Sequence, residues 1–105
     1  MDTTRLHKLK EMEAAQPHDP FVKYAIALEY VSGGQWHEAE KYFHTLCSDF
    51  PDYLPTYYHF GALAEQTGNP ALAKTLYEKG IALAGKQGDA KTERELRQAL
   101  LNLTA

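Results

Sequence analysis

The sequence predicts a single all-α domain, built as a stack of antiparallel helix pairs with about six helices. Across the 105 residues, apolar side chains recur at the three- and four-residue spacing of helices, and no sustained Val, Ile and Thr alternation indicates strands. Proline, glycine and helix-capping residues interrupt this pattern at short intervals. Connections this short between helices force neighbours to run antiparallel, so the chain is predicted to form helical hairpins.

Each predicted helix is bounded by residues that start or stop a helix. The first stops at Gln16-Pro17, because the residue before proline is pushed out of the helical region. Asp19-Pro20 and Asn69-Pro70 each place an acceptor side chain at the N-cap and proline at the first helical position. Asp89 caps the last helix after a predicted turn at 85–88. The predicted ranges are about 3–15, 20–33, 35–50, 54–67, 70–84 and from 90 onward.

Composition and charge exclude several classes of protein. A length of 105 residues with 44% hydrophobic content suffices for one core and is too short for two. Fourteen acidic against 11 basic residues leave a net charge of -3, which gives no general attraction for nucleic acid or anionic lipid. The single cysteine, Cys47, excludes an internal disulfide framework and fits a reducing compartment. Without a membrane-length apolar run or a signal-peptide core, the sequence predicts a cytoplasmic protein with no nucleic-acid or membrane partner.

The helical pattern repeats along the chain. Shifting the sequence so that Gly34 falls on Gly68 aligns small residues with small residues and aromatic residues with aromatic residues. The other aligned pairs are Tyr24 with Tyr58, Ala27 with Gly61, Ala39 with Ala73, and Phe43 with Tyr77. Such a period is the signature of a repeat array. Both glycines lie where the chain leaves a helix, a position that favours the left-handed conformation.

These residues resemble the tetratricopeptide repeat, whose pattern is W-x2-L-G-x2-Y, then A-x3-F, then P. The period of that repeat is 34 residues, the same as the shift that aligns Gly34 with Gly68. One unit reads Lys23-x2-Ile26-Ala27-x2-Tyr30, then Ala39-x3-Phe43 and Pro51, and the next reads Tyr57-x2-Phe60-Gly61-x2-Ala64, then Ala73-x3-Tyr77. Small residues at these positions let paired helices approach closely, and the aromatic residues fill the wider gaps. The departures from the family pattern are Lys23 for tryptophan, Ala64 for tyrosine, and Gly80 and Gly85 for alanine and proline. The resemblance implies a right-handed α-solenoid of helix pairs.

The period also predicts how the single domain is divided. Residues 1–17 form an N-terminal half-repeat helix, 20–53 the first repeat, 54–87 the second repeat, and 88–105 a capping helix. The capping helix is expected to turn Leu96, Ala99, Leu100 and Leu103 inward. For the first helix, three roles stay open: a docked half-repeat, a frayed terminus and a self-association arm. Because two repeats fall short of the usual three, homodimerisation is the alternative function.

The resemblance implies a non-catalytic module that binds a peptide or helix of a partner protein in a concave groove, with no cofactor. In this family the first helix of each pair lines the groove, and the matching partner-binding positions are Phe21, Tyr24, Leu28, Val31, Tyr58, His59, Ala62 and Glu65. Ala25 and Pro55 belong to the same faces. Packing between units is the alternative role for Tyr24 and Leu28. Some proteins of this family bind the C-terminal carboxylate of a partner through lysine, arginine and asparagine side chains on the groove face. Here Tyr24, Leu28 and His59 occupy the matching positions, so the resemblance favours a helix or a hydrophobic peptide as ligand.

A metal site is the minor alternative. His37 and His44 lie seven residues apart and Cys47 follows three later, so all three are candidates for one helix face, with Glu40 as a fourth ligand. In the repeat register, however, both histidines face solvent and Cys47 aligns with the apolar Ile81. A nucleophile pair of Cys47 and His44 would lack a pocket and an oxyanion-stabilising backbone, so no enzyme activity is predicted.

Overall fold

The computed structural model describes residues 3–105, and this part of the chain folds into six α-helices without a β-strand. The helices are α1 Thr3–Ala15, α2 Pro20–Ser32, α3 Trp36–Asp49, α4 Pro55–Gln66, α5 Pro70–Gln87 and α6 Ala90–Thr104. The predicted all-α repeat fold is therefore confirmed. None of these helices combines the length and the apolar character that crossing a bilayer requires.

Three of the predicted helix starts, those of α2, α5 and α6, are confirmed by their caps. The side chain of Asp19 accepts a hydrogen bond from the backbone N–H of Phe21 at 2.9 Å, and Asn69 accepts one from Leu72 at 3.1 Å. Asp89 likewise accepts from the backbone N–H of Thr92 at 3.0 Å. Each side chain supplies an acceptor to a first-turn N–H group that has no partner within the helix.

The predicted end of α5 is wrong. The helix continues through Gly85 to Gln87 and ends only at Gly88, which adopts the left-handed conformation at φ 72°. A glycine within a helix lowers its stability by about 1 kcal/mol relative to alanine but does not by itself end it. Because α6 packs against α5, tertiary contacts offset the weak helix propensity of this segment.

The turns that follow α2 and α4 have the same geometry at equivalent positions of the two repeats. Gly34 and Gly68 have φ angles of 73° and 80°, as the sequence predicts. The N–H of Gln35 donates to the carbonyl of Tyr30 at 2.9 Å, and the N–H of Asn69 donates to that of Ala64 at 2.8 Å. This bond closes a Schellman-type turn, which uses glycine for its positive φ and satisfies a carbonyl at the helix end.

The chain divides into two compact units, with the boundary between Tyr53 and Leu54. In the first unit α2 packs against both α1 and α3. The carboxylate of Glu13 on α1 accepts hydrogen bonds from Lys23 Nζ of α2 at 2.9 Å and from Tyr42 OH of α3 at 2.8 Å. Polar contacts therefore hold α1 docked on this unit. Its core consists of Val22, Ile26, Ala27, Tyr30, Ala39, Phe43 and Leu46.

In the second unit α5 packs against α4 on one side and α6 on the other. Two glycines permit this close packing. A Cβ at Gly61 would overlap the ring of Tyr77, and one at Gly80 would lie 2.9 Å from both Leu96 Cδ1 and Tyr57 Cβ. Leu96 is fully buried as predicted, whereas Ala99, Leu100 and Leu103 are half-buried and Leu101 is 61% exposed. The buried apolar residues of this unit are Leu54, Tyr57, Phe60, Leu63, Ala64, Ala73, Leu76, Tyr77, Ala84 and Leu96.

Candidate functional site

The second unit contains an open cleft of about 360 Å³ between α4 and α6. Three of the predicted groove residues, Tyr58, Ala62 and Glu65, line its α4 side. Their spacing of four and then three residues places them on one helix face. Tyr77 of α5 lies at the base, and α6 contributes Glu95, Gln98, Ala99 and Asn102.

Tyr77 fixes the base of the cleft. Its side chain is 1% exposed, and its hydroxyl donates a hydrogen bond to the Glu65 carboxylate. Burial, followed by this hydrogen bond and the negative charge of Glu65, raises the pKa of Tyr77 far above its usual value. The hydroxyl therefore stays protonated and acts as a donor, which holds the Glu65 carboxylate at the cleft.

This arrangement depends on a glycine beneath the ring of Tyr77. The space that a Cβ at position 61 would fill is occupied by ring atoms of Tyr77. One repeat earlier the matching positions hold Ala27, Val31 and Phe43 in place of Gly61, Glu65 and Tyr77. The first unit thus has neither the hydroxyl nor the carboxylate of this pair at the matching positions.

The rim of the cleft is polar and carries negative charge. The ring of Tyr58 is 38% exposed, and its centroid lies 6.4 Å from that of Tyr77. On α6, Gln98 Nε2 donates to Asn102 Oδ1 at 2.9 Å. The two carboxylates, Glu65 and Glu95, face no lysine, arginine or histidine among the residues that line the cleft. The local charge therefore favours a cationic group.

His59 occupies a different place from its neighbour Tyr58. It is half-buried with its ring centroid 5.4 Å from that of Tyr58, and it lies outside the lining of the cleft. Burial lowers the pKa of His59, because removing the imidazolium from water disfavours the charged form. At neutral pH the side chain is therefore an uncharged aromatic group.

The predicted groove residues of the first unit differ in their exposure. Phe21 is 56% exposed, whereas Leu28 and Val31 are half-buried. Tyr24 is half-buried, and its ring forms an edge-type contact with that of Tyr53 of the same unit, with 5.7 Å between centroids and 63° between ring planes. Burial raises the pKa of the Tyr24 hydroxyl. These four side chains present an apolar and aromatic surface without a carboxylate.

The contribution of α6 to the cleft was missed by sequence reasoning. From its apolar spacing this helix is predicted to be a cap, with Leu96 and Ala99 turned inward. Glu95, Gln98 and Asn102 recur at spacings of three and four residues beside the small Ala99, which puts a polar stripe on one helix face. This polar stripe is the feature of the sequence that indicates a role for α6 in the site. The sequence does not show, however, that the stripe faces Tyr58 and Glu65.

The candidate metal ligands His37, His44 and Cys47 do not form a metal-binding cluster in the described part of the chain. Between residues 3 and 105, no group of three or more His, Cys, Asp or Glu side chains is placed to hold a metal ion. A seven-residue separation along a helix moves His44 about 10 Å from His37, whereas ligands of one zinc ion each lie about 2 Å from the metal. Both histidines are exposed and Cys47 is half-buried.

Comparison with known proteins places the chain beside helical repeat domains. A tetratricopeptide repeat domain protein from Salinibacter ruber, solved in solution by NMR, is 36% identical over 84% of this chain and 89% of that chain, with a TM-score of 0.80. A crystal structure of a Salinibacter ruber tetratricopeptide repeat domain protein gives the same identity and TM-score over 83% of this chain and 98% of that chain. A Bordetella parapertussis protein, 22% identical over 94% and 86% of the two chains, shares the fold with a TM-score of 0.80. No protein-family model and no curated protein matches the sequence.

Proposed function

The chain belongs to the tetratricopeptide repeat family, and we propose that it is a non-catalytic module that binds a peptide or helix of a partner protein. In this proposal, the partner-binding residues lie on the first helix of each pair. They are Phe21, Tyr24, Leu28 and Val31 on α2, and Tyr58, His59, Ala62 and Glu65 on α4.

The cleft of the second unit carries this proposal. Tyr58, Ala62 and Glu65 line one open cavity, and the exposed ring of Tyr58 offers a rigid contact surface with a polar tip. Tyrosine side chains bury a large area at small entropic cost, which makes them frequent anchors in protein interfaces. The cleft combines two tyrosines with polar side chains in one concave surface, and concave surfaces are the usual sites of ligand binding.

Blocking the cleft with bulk tests the proposal. Ala62 is exposed, so Ala62→Trp fills the cleft without inserting a large side chain into the core. The immobilised full chain is incubated with lysate of its source cells, and captured proteins are identified by mass spectrometry. We expect the proteins captured by the wild type to be lost with Ala62→Trp.

Ala82→Trp is the matched control, because Ala82 is an exposed helical alanine that does not line the cleft. It should capture the same proteins as the wild type, and both variants should keep the helical circular dichroism of the parent. Capture that is unchanged by Ala62→Trp, or lost equally with both variants, would contradict binding at this surface.

A further inference from the structure

We propose that the cleft lined by Tyr58, Glu65 and Glu95 binds an arginine side chain of the partner segment. This inference rests on the proposed function and adds the chemistry of the occupant. It also separates the second unit from the apolar and aromatic surface of the first.

Charge is the first observation behind this choice. Glu65 and Glu95 line the same cleft, and the other lining side chains are tyrosine, alanine and uncharged amides. An apolar occupant would remove both carboxylates from water without supplying a donor, which is costly for charged groups. A cationic side chain supplies both the charge and the donors that the two carboxylates accept.

The side chains that line the cleft favour guanidinium over ammonium. Tyr58 presents an exposed ring at the rim, on which a planar cation can stack. Guanidinium has five N–H donors in a planar fork, which suits carboxylates and an amide oxygen placed around it, whereas ammonium is a compact and strongly hydrated charge. Gln98 uses its Nε2 to donate to Asn102, so its Oε1 remains an acceptor on the α6 side.

The residues that form the base of the cleft also favour an arginine side chain as the ligand. Three positions differ together from their counterparts in the preceding repeat: glycine replaces alanine at 61, glutamate replaces valine at 65, and tyrosine replaces phenylalanine at 77. Gly61 makes room for the Tyr77 ring, and the Tyr77 hydroxyl binds Glu65. Together these three changes hold a carboxylate in the cleft. The valine and phenylalanine of the preceding repeat would suit an apolar ligand better.

Blocked peptides provide the test. The probe is an acetylated and amidated pentapeptide with one arginine flanked by alanine and glycine, and matched peptides carry citrulline, lysine or phenylalanine at the same position. Citrulline has nearly the shape of arginine but no charge. Binding is followed by two-dimensional NMR of the full-length protein, up to about 10 mM peptide because a single side chain gives millimolar affinity.

The arginine peptide should shift backbone amide signals of α4 and α6. The citrulline peptide should bind at least about tenfold more weakly, because the charge-assisted bonds are lost, and the arginine affinity should fall as salt is raised. Lysine should lie between the two. Equal affinity for arginine and citrulline, tighter binding of phenylalanine, or no shift in α4 and α6 would overturn the proposal.

Charge-neutral variants locate the effect. Glu65→Gln/Glu95→Gln removes both charges, while glutamine at 65 keeps an oxygen that accepts from the Tyr77 hydroxyl. It should weaken the arginine peptide about tenfold and leave the citrulline peptide unchanged. Glu11→Gln/Glu78→Gln makes the same change in net charge at exposed sites outside the cleft and should leave both affinities unchanged. Equal weakening by both double variants would mean that the effect is general electrostatics, and the proposal would fall.

The peptide experiment tests the arginine proposal and the capture experiment tests the proposed function, so either proposal can be refuted without the other. If Ala62→Trp abolishes capture while arginine and citrulline bind alike, the module binds a partner through this cleft but the arginine is wrong. If the arginine peptide binds as expected while Ala62→Trp leaves capture unchanged, the cleft chemistry holds and the proposed function does not.

Discussion

The same substitution, glycine to alanine, should have opposite effects at two helical positions of the second unit. Gly61 lies in α4 and Gly85 in α5. In a helix interior alanine is more favourable than glycine by about 1 kcal/mol. At Gly85 a new Cβ would have its nearest neighbour, Glu93 Oε1, at 3.8 Å, which is ordinary contact. Gly85→Ala should therefore raise the free energy of unfolding by about 0.5–1 kcal/mol.

At Gly61 the new Cβ would overlap the ring of Tyr77, lying 2.8 Å from both Cδ1 and Cζ. Because the ring is buried, it moves only by disturbing its neighbours, and overpacking of this kind typically destabilises by about 1–3 kcal/mol. Moving the ring also strains or breaks the hydrogen bond to Glu65, a loss of about 1.5–3 kcal/mol for a charged acceptor. After subtracting the gain in helix propensity, Gly61→Ala should be destabilised by about 3 kcal/mol.

Urea denaturation followed by circular dichroism at 222 nm measures both effects, and the slope of the transition shows whether the denatured state has changed. A loss of about 3 kcal/mol corresponds to a decrease in Tm of roughly 10–20 °C for a chain of this size. Gly80→Ala should give an intermediate loss, because its Cβ would lie 2.9 Å from Leu96 Cδ1 and Tyr57 Cβ. Equal stabilisation by Gly61→Ala and Gly85→Ala would refute the packing argument.

Two further predictions concern polar groups. The hydroxyl of Thr56 is buried and has no hydrogen-bond partner among residues 3–105, so Thr56→Val should raise the free energy of unfolding by up to about 1 kcal/mol; a lower urea midpoint would contradict this. Burial acts to raise the pKa of Glu13, but hydrogen bonds from Lys23 and Tyr42 outweigh it and lower the pKa below 4.5. Glu13 therefore stabilises the folded state above its unfolded pKa, and this contribution is lost as pH falls through the folded value. Glu13→Gln should lose about 1–2 kcal/mol of stability at neutral pH, and urea titrations should show its gap to the wild type narrowing as the pH falls below the usual pKa of a glutamate, about 4.3; a gap independent of pH would contradict the assignment.

The helix boundaries could largely be predicted from the sequence, because the signals that set them act over a few residues. Asp19, Asn69 and Asp89 cap helices through side chains that bond to an N–H two or three residues on. Gly34 and Gly68 adopt positive φ because the turn that follows each helix requires it. The end of α5 escaped prediction, since Gly85 resembles a stop signal yet remains helical beside α6.

The candidate site could be predicted in part. The repeat register placed Tyr58, Ala62 and Glu65 on one face of α4, and the structure brings these three together in a cleft. It could not show that Tyr77 would reach Glu65, because that contact crosses from α5 to α4 and depends on how closely the helices approach. The contribution of α6 to the cleft could not be predicted for the same reason.

By itself, the sequence determined the all-α class, the helix starts, the repeated glycine turns and the positions that recur from one repeat to the next. All of these depend on backbone preferences and hydrogen bonds within one or two turns of helix. Tertiary structure alone decided that α1 docks through Glu13, that α5 extends to Gln87, and that Glu95 of α6 shares a cleft with Glu65. These features depend on distances between side chains far apart in the chain, which packing sets and local propensity does not.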